Sequence, residues 1–566
     1  MKVYGIILLI IFYAVHTNAQ AQPHFPNKKY PAKLFRNPLS TPFSLVGNFG
    51  ECRPNHFHSG IDIRTDGKEN KKIYAIEDGY ISRVKIEESG FGNAIYINHA
   101  SGYTSVYAHL NTFYPALENF IKKKQYASKS WKIDMTRILD KFWVRKGDFI
   151  ALSGNAGSSQ GPHLHLEIRN ALTEAPLNPL LFFNEIQDFT KPVIKQLAVY
   201  DGSKSIYEQS PQLFKVNKGL LPKKPIEVQT DKVFVGIEAD DYMAIAKGNL
   251  GIYEMRLYVD DEWTFAWQMD NISYDITNYL NAHTDYKTRK NKGPWIQLCT
   301  QLPNDKLSIY QSANNNHGMI DLSDGQPKDV RIVVYDTKYN SDTISFVLQS
   351  KSPANANSCS QVMKAGKKNT FKNEDISFTL QEQALYDDIC FKSSIKNSDA
   401  PYSHIYQIHY SFVPVHTPFE LMLRPKKEIP EVLKNKIAMV RTSSNIESSK
   451  KGIAATYTSN YVMAKVKEFG NYEIVIDQKA PQITTTLKEG MSVKNMKAIY
   501  FNVKEETTTI KSCTALLDGQ WLRLVQKGSQ YYYTLDEYFP KGTHQLLISA
   551  TDENNNTSIK KITLTR

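Results

Sequence analysis

Three short segments carry side chains that could act together on one cation. In His58-Ser-Gly60-Ile-Asp62 an imidazole and a carboxylate stand four residues apart, and they can converge if the chain turns at Gly60. In Gly161-Pro-His163-Leu-His165-Leu-Glu167 two histidines sit two residues apart. Residues i and i+2 of a strand point to the same side, so His163 and His165 aim at one place while Leu164 and Leu166 face a core. In Tyr107-Ala-His109-Leu the alternation Tyr103, Ser105, Tyr107, His109 sets His109 on one face at the end of a strand. Singly, each histidine reads as well as a capped, buried or surface residue. Together they read as hydrolytic chemistry. A catalytic zinc takes three protein ligands and keeps a position for water. His58, Asp62 and one histidine of the His163/His165 pair supply that set. Two histidines are then left beside the metal, and peptide hydrolysis needs a base for the water and a donor for the oxyanion. No H-E-x-x-H helix is present, which excludes a metalloprotease of that design.

The neighbouring polar residues read more plainly. His56 and His99 are structural histidines, and Cys52 is an inert thiol on a loop. Glu167 reads equally as an orienting partner for a histidine or as a strand-end surface carboxylate. Arg53 reads as a grip on a substrate carboxylate or as a structural salt bridge. Short strands must hold these groups: Lys72–Ile76, Gly79–Ile86, Asn93–Asn98, Tyr103–His109 and Asp148–Leu152, with glycines at the turns. The stretch from Pro115 to Phe142 has apolar residues at helical spacing and predicts a helical insertion, about 112–143.

The chain has 566 residues, too many for one core. Hydrophobic residues make up 41% and charged residues 22%, a globular rather than a disordered composition. The fold class is mainly β: an antiparallel β-sheet catalytic domain at 22–185 carrying the helical insertion, then β-sandwich modules. Two junctions share the pattern D-x-x-x-P-x-I, at Asp188 to Ile194 and Asp477 to Ile483. The segments they open also end alike, in Asp336-Thr-Lys-Tyr-Asn340 and Asp552-Glu-Asn-Asn-Asn556. These predict two immunoglobulin-like modules at 190–350 and 480–566, with a β-rich region at 355–478 of no evident type.

At the N-terminus Lys2, the apolar run Gly5 to Val15, and small residues at Ala19 and Ala21 predict a signal peptide over 1–21 and export to the periplasm or the outer envelope and beyond. The run is shorter than the roughly 20 residues that span a bilayer, and no later segment is apolar enough. The net charge of +12 reads as a solvated basic surface. No basic block interleaved with aromatics appears, so no nucleic-acid partner is expected. The five cysteines form no CxxC pair and read as isolated thiols.

From Asn48 to Asn170 the sequence resembles the M23 family of zinc metallopeptidases, the lysostaphin- and LytM-like endopeptidases. His58-Ser-Gly-Ile-Asp62, Gly90-Phe-Gly-Asn93, Tyr107-Ala-His109-Leu and Gly161-Pro-His163-Leu-His165-Leu-Glu167 carry the resemblance in order. It implies one zinc ion held by His58, Asp62 and His165, with His109 and His163 as the catalytic pair. It implies peptide cross-links of peptidoglycan as substrate, and cell-envelope protein partners for the β-sandwich modules. Some members of the family have lost ligands and only activate other hydrolases; this sequence keeps all five positions. The insertion departs from the compact members, where that connection is short, and is expected to flank the substrate groove. Two other readings remain: a gated envelope binding or activator protein, and a secreted protease acting on ordinary proteins.

Overall fold

The computed structural model describes residues 22–23, 25, 30–136, 142–217, 219, 221, 224–244, 248–351, 359–442 and 451–566. The expected signal peptide at 1–21 lies outside them. Among the described residues no helix is long and apolar enough to cross a membrane.

The N-terminal region is built on one large antiparallel sheet. Its strands run in the order Leu45–Gly47, Ile61–Arg64, His163–Asn170, Tyr103–Ala108, Asn93–Asn98, Gly79–Ile86 and Ile133–Thr136. A three-stranded sheet of Lys72–Tyr74, Phe149–Ser153 and Leu110–Phe113 lies against it. Ile61, Ile63, Tyr107, Leu164 and Leu166 are fully buried in the shared apolar core. Strand alternation then forces Asp62, His163, His165 and Glu167 onto the opposite face. Register completes the placement: His165 stands opposite Asp62 on one side and Ala108 on the other.

The expected helical insertion is half right. A helix forms over Pro115–Ser128 and buries Leu117 and Ile121. It stops at Lys129, which takes a left-handed conformation while its N–H bonds back to Tyr126 and that of Ser130 to Gln125. Beyond it Ile133–Thr136 is a strand, paired with Gly79–Ile86. The apolar residues there alternate at period two once the helix has ended, which a helical count across the stop conceals. Residues 137–141 of the insertion lie outside the described residues.

The outer face of the helix is a docking site for the C-terminal region. Tyr126 stacks on Tyr538 with centroids 3.5 Å apart, and its hydroxyl donates to Asp536 at 2.9 Å. Lys122 pairs with Asp536 and Glu537 at 2.9 and 2.8 Å, and Arg523 donates to Gln125 at 3.0 Å.

After Pro179 each stretch forms a pair of sheets. Strands between 193 and 350 make a five- and a six-stranded sheet, those between 369 and 476 two five-stranded sheets, and those from 482 onward a four- and a five-stranded sheet. One apolar core runs through the first two pairs; the last pair has its own, with Phe501, Tyr533 and Ile548 at its centre. The expectation of isolated thiols fails at one place: Cys359 and Cys390 form a disulfide. Pairing of Val362 with Cys390 brings them together, a long-range contact that a spacing of 31 residues does not announce. Cys52, Cys299 and Cys513 are free.

Replacing Tyr126 by Ala removes the ring stack and the hydroxyl bond. It should weaken the docking by about 1–3 kcal/mol, seen as faster amide hydrogen exchange across 530–540 while exchange in the His163–Asn170 strand is unchanged.

Candidate metal centre

His58, Asp62 and His165 converge on one point. Their ligand atoms all lie within 4.8 Å of one another. His58 Nε2 is 3.1 Å from Asp62 Oδ1 and 3.0 Å from His165 Nδ1, and His165 Nδ1 is 3.0 Å from the same Asp62 oxygen. His58, Asp62 and His165 are only 2%, 3% and 3% exposed, so the contacts are desolvated. Donor spacings near 3.3 Å are what a tetrahedral site with bonds of about 2.0 Å requires.

The outward nitrogens fix the inward ones. His58 Nδ1 donates to the Asn48 carbonyl at 2.8 Å, which leaves the Nε2 lone pair facing the centre. His165 Nε2 donates to Glu167 at 3.2 Å, which leaves Nδ1 facing the same centre. Two imidazole lone pairs 3.0 Å apart repel unless a proton or a cation lies between them, so the donor set fits a metal ion. Asp62 keeps Oδ1 for the centre and takes Arg53 on Oδ2 at 2.6 Å. The Arg53 salt bridge is therefore structural, made to the metal-capable carboxylate itself.

His109 and His163 stand beside this set with ring centroids 4.8 Å apart. His109 Nδ1 donates to the Ala156 carbonyl and His163 Nδ1 to the Gly161 carbonyl, both at 2.8 Å. His163 Nε2 is buried without a hydrogen bond, 3.3 Å from Asp62 Oδ1. The route of His109 to the site differs from the expected one. By alternation it would share the face of Tyr107, and that face is the core. His109 instead adopts φ +59°, a left-handed conformation that ends the strand and turns its ring to the other side. Gly60 also differs: a Cβ there would stand 2.4 Å from the Leu166 carbonyl and 3.0 Å from His165 Nε2. Close approach, not a turn, requires the glycine.

Electrostatics follow burial. Burial lowers His58 to about 4, against the attraction of Asp62. Burial and the neighbouring His165 and His163 lower His109 to about 3. Burial alone would raise Asp62, but His58 and the close imidazoles of His163 and His165 hold it well below the usual carboxylate range. Burial opposes a charge on His165 too, yet its bonds to Asp62 and Glu167 push it up to about 9.

Other expectations divide. His99 is structural, bonded to the Asp78 carbonyl and to Ser105 at 2.8 and 2.7 Å. Among the described residues His56 bonds only the Pro54 carbonyl, at 2.9 Å. Cys52 is packed against the core of the following sandwich, where burial pushes its thiol up. Glu167 is wholly buried and takes Arg169, Ser59 and Tyr274 besides His165. Tyr274 and Gly251 were illegible in the sequence. Tyr274 lies in the sandwich that follows, yet its hydroxyl donates to the carboxylate that orients His165. Gly251 pairs with the side chain of Asn48, the residue that orients His58, through two bonds of 2.7 Å. No local motif signals contacts of this sequence separation.

A sheet face presenting two histidines and an aspartate, with two more histidines alongside, is a candidate metal centre with two further proton-transfer groups at hand. Residues 56–136 match Peptidase family M23. The match includes His58, Asp62 and His109; His163 and His165 lie beyond it. Residues 360–477 match the Zu5-like domain, which types the β-rich region the sequence left open. Over 123 residues the chain is 33% identical to DD-carboxypeptidase/endopeptidase Mpg of Neisseria meningitidis serogroup B, 22% of this chain and 22% of that protein. Over 160 residues it is 28% identical to an uncharacterized metalloprotease of Haemophilus influenzae, 28% of this chain and 24% of that protein. The chain thus spans less than a quarter of the length of these curated relatives, 22% and 24%. Among solved structures, the catalytic domain of a variant of the prophage-encoded M23 protein EnpA from Enterococcus faecalis is similar over 25% of this chain and 92% of that one, at 21% identity and TM-score 0.19. The catalytic domain of lysostaphin from Staphylococcus simulans is similar over 25% and 91%, at 20% identity and TM-score 0.19.

Two outcomes follow. Because His165 is protonated in the metal-free chain below about pH 9, metal loading at pH 7 should release about one proton per ion, and apparent affinity should rise about tenfold per pH unit up to that point. Calorimetry in buffers of different ionisation enthalpy measures both. Tyr274→Phe, which removes one donor from Glu167, should weaken metal binding about 10-fold or more, read by competition with a chromogenic chelator.

Proposed function

We propose that this chain is an exported zinc endopeptidase that cleaves peptide cross-links of peptidoglycan, with His58, Asp62 and His165 as zinc ligands and His109 and His163 as the catalytic pair. The observation that carries the reading is the convergence of His58 Nε2, Asp62 Oδ1 and His165 Nδ1 at 3.0–3.1 Å, with each histidine's other nitrogen already committed to an acceptor. Two imidazoles and one carboxylate are a donor set that suits zinc. Zinc bound there would supply a water with its pKa lowered toward about 7 and polarise the scissile carbonyl.

The chain's own residues do the rest. His109 is held neutral by burial, with its Nδ1–H committed to Ala156, so its Nε2 is free to accept a proton. His163 has its unbonded Nε2 beside Asp62, the position from which an N–H would donate to a developing oxyanion. The substrate class rests on the M23 match and on the endopeptidase named among the relatives. The Cys359–Cys390 disulfide supports export, since such bonds persist in oxidising compartments. The regions 190–350 and 480–566 are proposed as immunoglobulin-like modules that hold the enzyme on the envelope or on protein partners.

One observation favours a gated version of this reading. A cleft of about 270 Å³ is lined by Asn111 and Ala156 of the peptidase region, Ala156 being the residue whose carbonyl holds His109, and by Arg523 and Tyr532 of the C-terminal region. Were substrate to enter along it, the docked C-terminal region would flank its path. Loosening that docking would then raise turnover without changing zinc content.

Isolated sacculi and mass spectrometry of released peptides test the proposal. His165→Ala and Asp62→Ala should each abolish zinc binding and release. His109→Ala should keep zinc and lose about 10²–10⁴-fold in rate. Wild-type turnover in His109→Ala sinks the catalytic assignment, and digestion of casein but not of sacculi replaces the substrate class.

A further inference from the structure

The two junctions that share D-x-x-x-P-x-I in sequence also share a construction in space. At the first, the side-chain amide of Asn340 donates to the Asp188 carbonyl at 3.2 Å and to Asp336 Oδ2 at 2.7 Å. Asp336 Oδ1 takes the backbone N–H groups of Lys338 and Asn340, at 2.7 and 2.9 Å. At the second, the amide of Asn556 donates to the Asp477 carbonyl at 3.0 Å and to Asp552 Oδ2 at 2.8 Å. Each clasp gains a third acid from the end of a neighbouring strand. Asp241 follows the Lys232–Asp240 strand at the first, and Glu505 follows Ala498–Lys504 at the second.

In each cluster one carboxylate oxygen per residue lies within 4.8 Å of the others. The first cluster is the more enclosed: Asp188, Asp241 and Asp336 are 7%, 3% and 1% exposed. Asp241 Oδ1 is buried and has no hydrogen-bond partner. Among the described residues no basic side chain forms an ion pair with any of the three; the nearby Lys195 pairs with Asp240 instead. Three buried carboxylates facing one another, one of them with an unused oxygen, are repulsive until a cation joins them. The donors are all oxygen, with no nitrogen or sulfur, which selects a hard divalent ion of the calcium type rather than zinc. The second cluster rebuilds the cage with a glutamate in place of the third aspartate, and Asp477 Oδ1 is likewise buried without a partner.

We propose that Asp188, Asp241 and Asp336 form a calcium-type cation site at the junction between the peptidase region and the sandwich after it, and that Asp477, Glu505 and Asp552 repeat the site at the later junction. The first site stands where the chain passes into the region that supplies Tyr274 and Gly251. The inference does not rest on the peptidase reading, because its acids lie outside the sheet that carries the histidines.

The test uses the full chain with its zinc retained, titrated with CaCl₂ and separately MgCl₂ by calorimetry and followed by thermal unfolding. At about 5 mM calcium the unfolding midpoint should rise by about 4 °C or more. Asp241→Asn keeps the bulk and removes one charge. It should bind one calcium fewer than wild type, unfold at a higher temperature than wild type in calcium-free buffer, and lose most of the calcium-dependent shift. Its zinc content should be unchanged. No binding of either ion by the wild-type chain up to about 5 mM, or wild-type stoichiometry in Asp241→Asn, overturns the proposal. If Asp241→Asn does not fold, Asp188→Asn carries the same stoichiometric comparison, while the wild-type titration stands by itself.

Discussion

The pairing of the His163–Asn170 strand with Ile61–Arg64 governs the whole N-terminal region. It sets His165 opposite Asp62, so that an imidazole and a carboxylate meet across a sheet without any loop having to bend them together. A shift of one residue would carry both into the core and bring Leu164 and Leu166 to the surface. Apolar burial and site geometry are thus specified by the same register, and neither can drift without the other. Held this way, the nitrogens of His58 and His165 face each other across a distance that favours a shared cation.

Around that core interaction the site is braced by groups far away in sequence. Asn48 orients His58 and is itself gripped by Gly251; Glu167 orients His165 and is gripped by Tyr274. Both braces come from the sandwich that follows the peptidase sheet. The boundary between them is therefore a part of the candidate metal centre rather than a tether. The Asp188, Asp241 and Asp336 cluster sits at that boundary, and the docking of the C-terminal region on the Pro115–Ser128 helix adds a second attachment on the far side. Orientation of two imidazoles is thereby shared among regions that fold around different cores.

Residue types and short-range periodicity were enough to single out the side chains that the fold brings together. His58, Asp62, His163 and His165 were legible because period-two alternation and motif order are local properties, and His109 was legible by motif order alone. Strands such as Gly79–Ile86 and Asn93–Asn98 were legible for the same reason. The Pro115–Ser128 helix was legible too, but its stop at Lys129 was not, since a left-handed cap carried by a lysine leaves no compositional mark.

Tertiary structure alone decided the rest. The side on which His109 emerges depends on a left-handed φ that reverses the strand's alternation, and only the packing of Tyr107 shows which face is the core. The need for Gly60 comes from the Leu166 carbonyl, the Cys359–Cys390 bond from a strand pairing, and the role of Glu167 from Arg169 and Tyr274. The sequence determined which groups can bind a metal and move a proton, because those are properties of side chains. Which nitrogen faces the centre, and what holds it there, was left to the fold, because a tautomer is set by the acceptor on a ring's far side and that acceptor arrives from elsewhere in the chain.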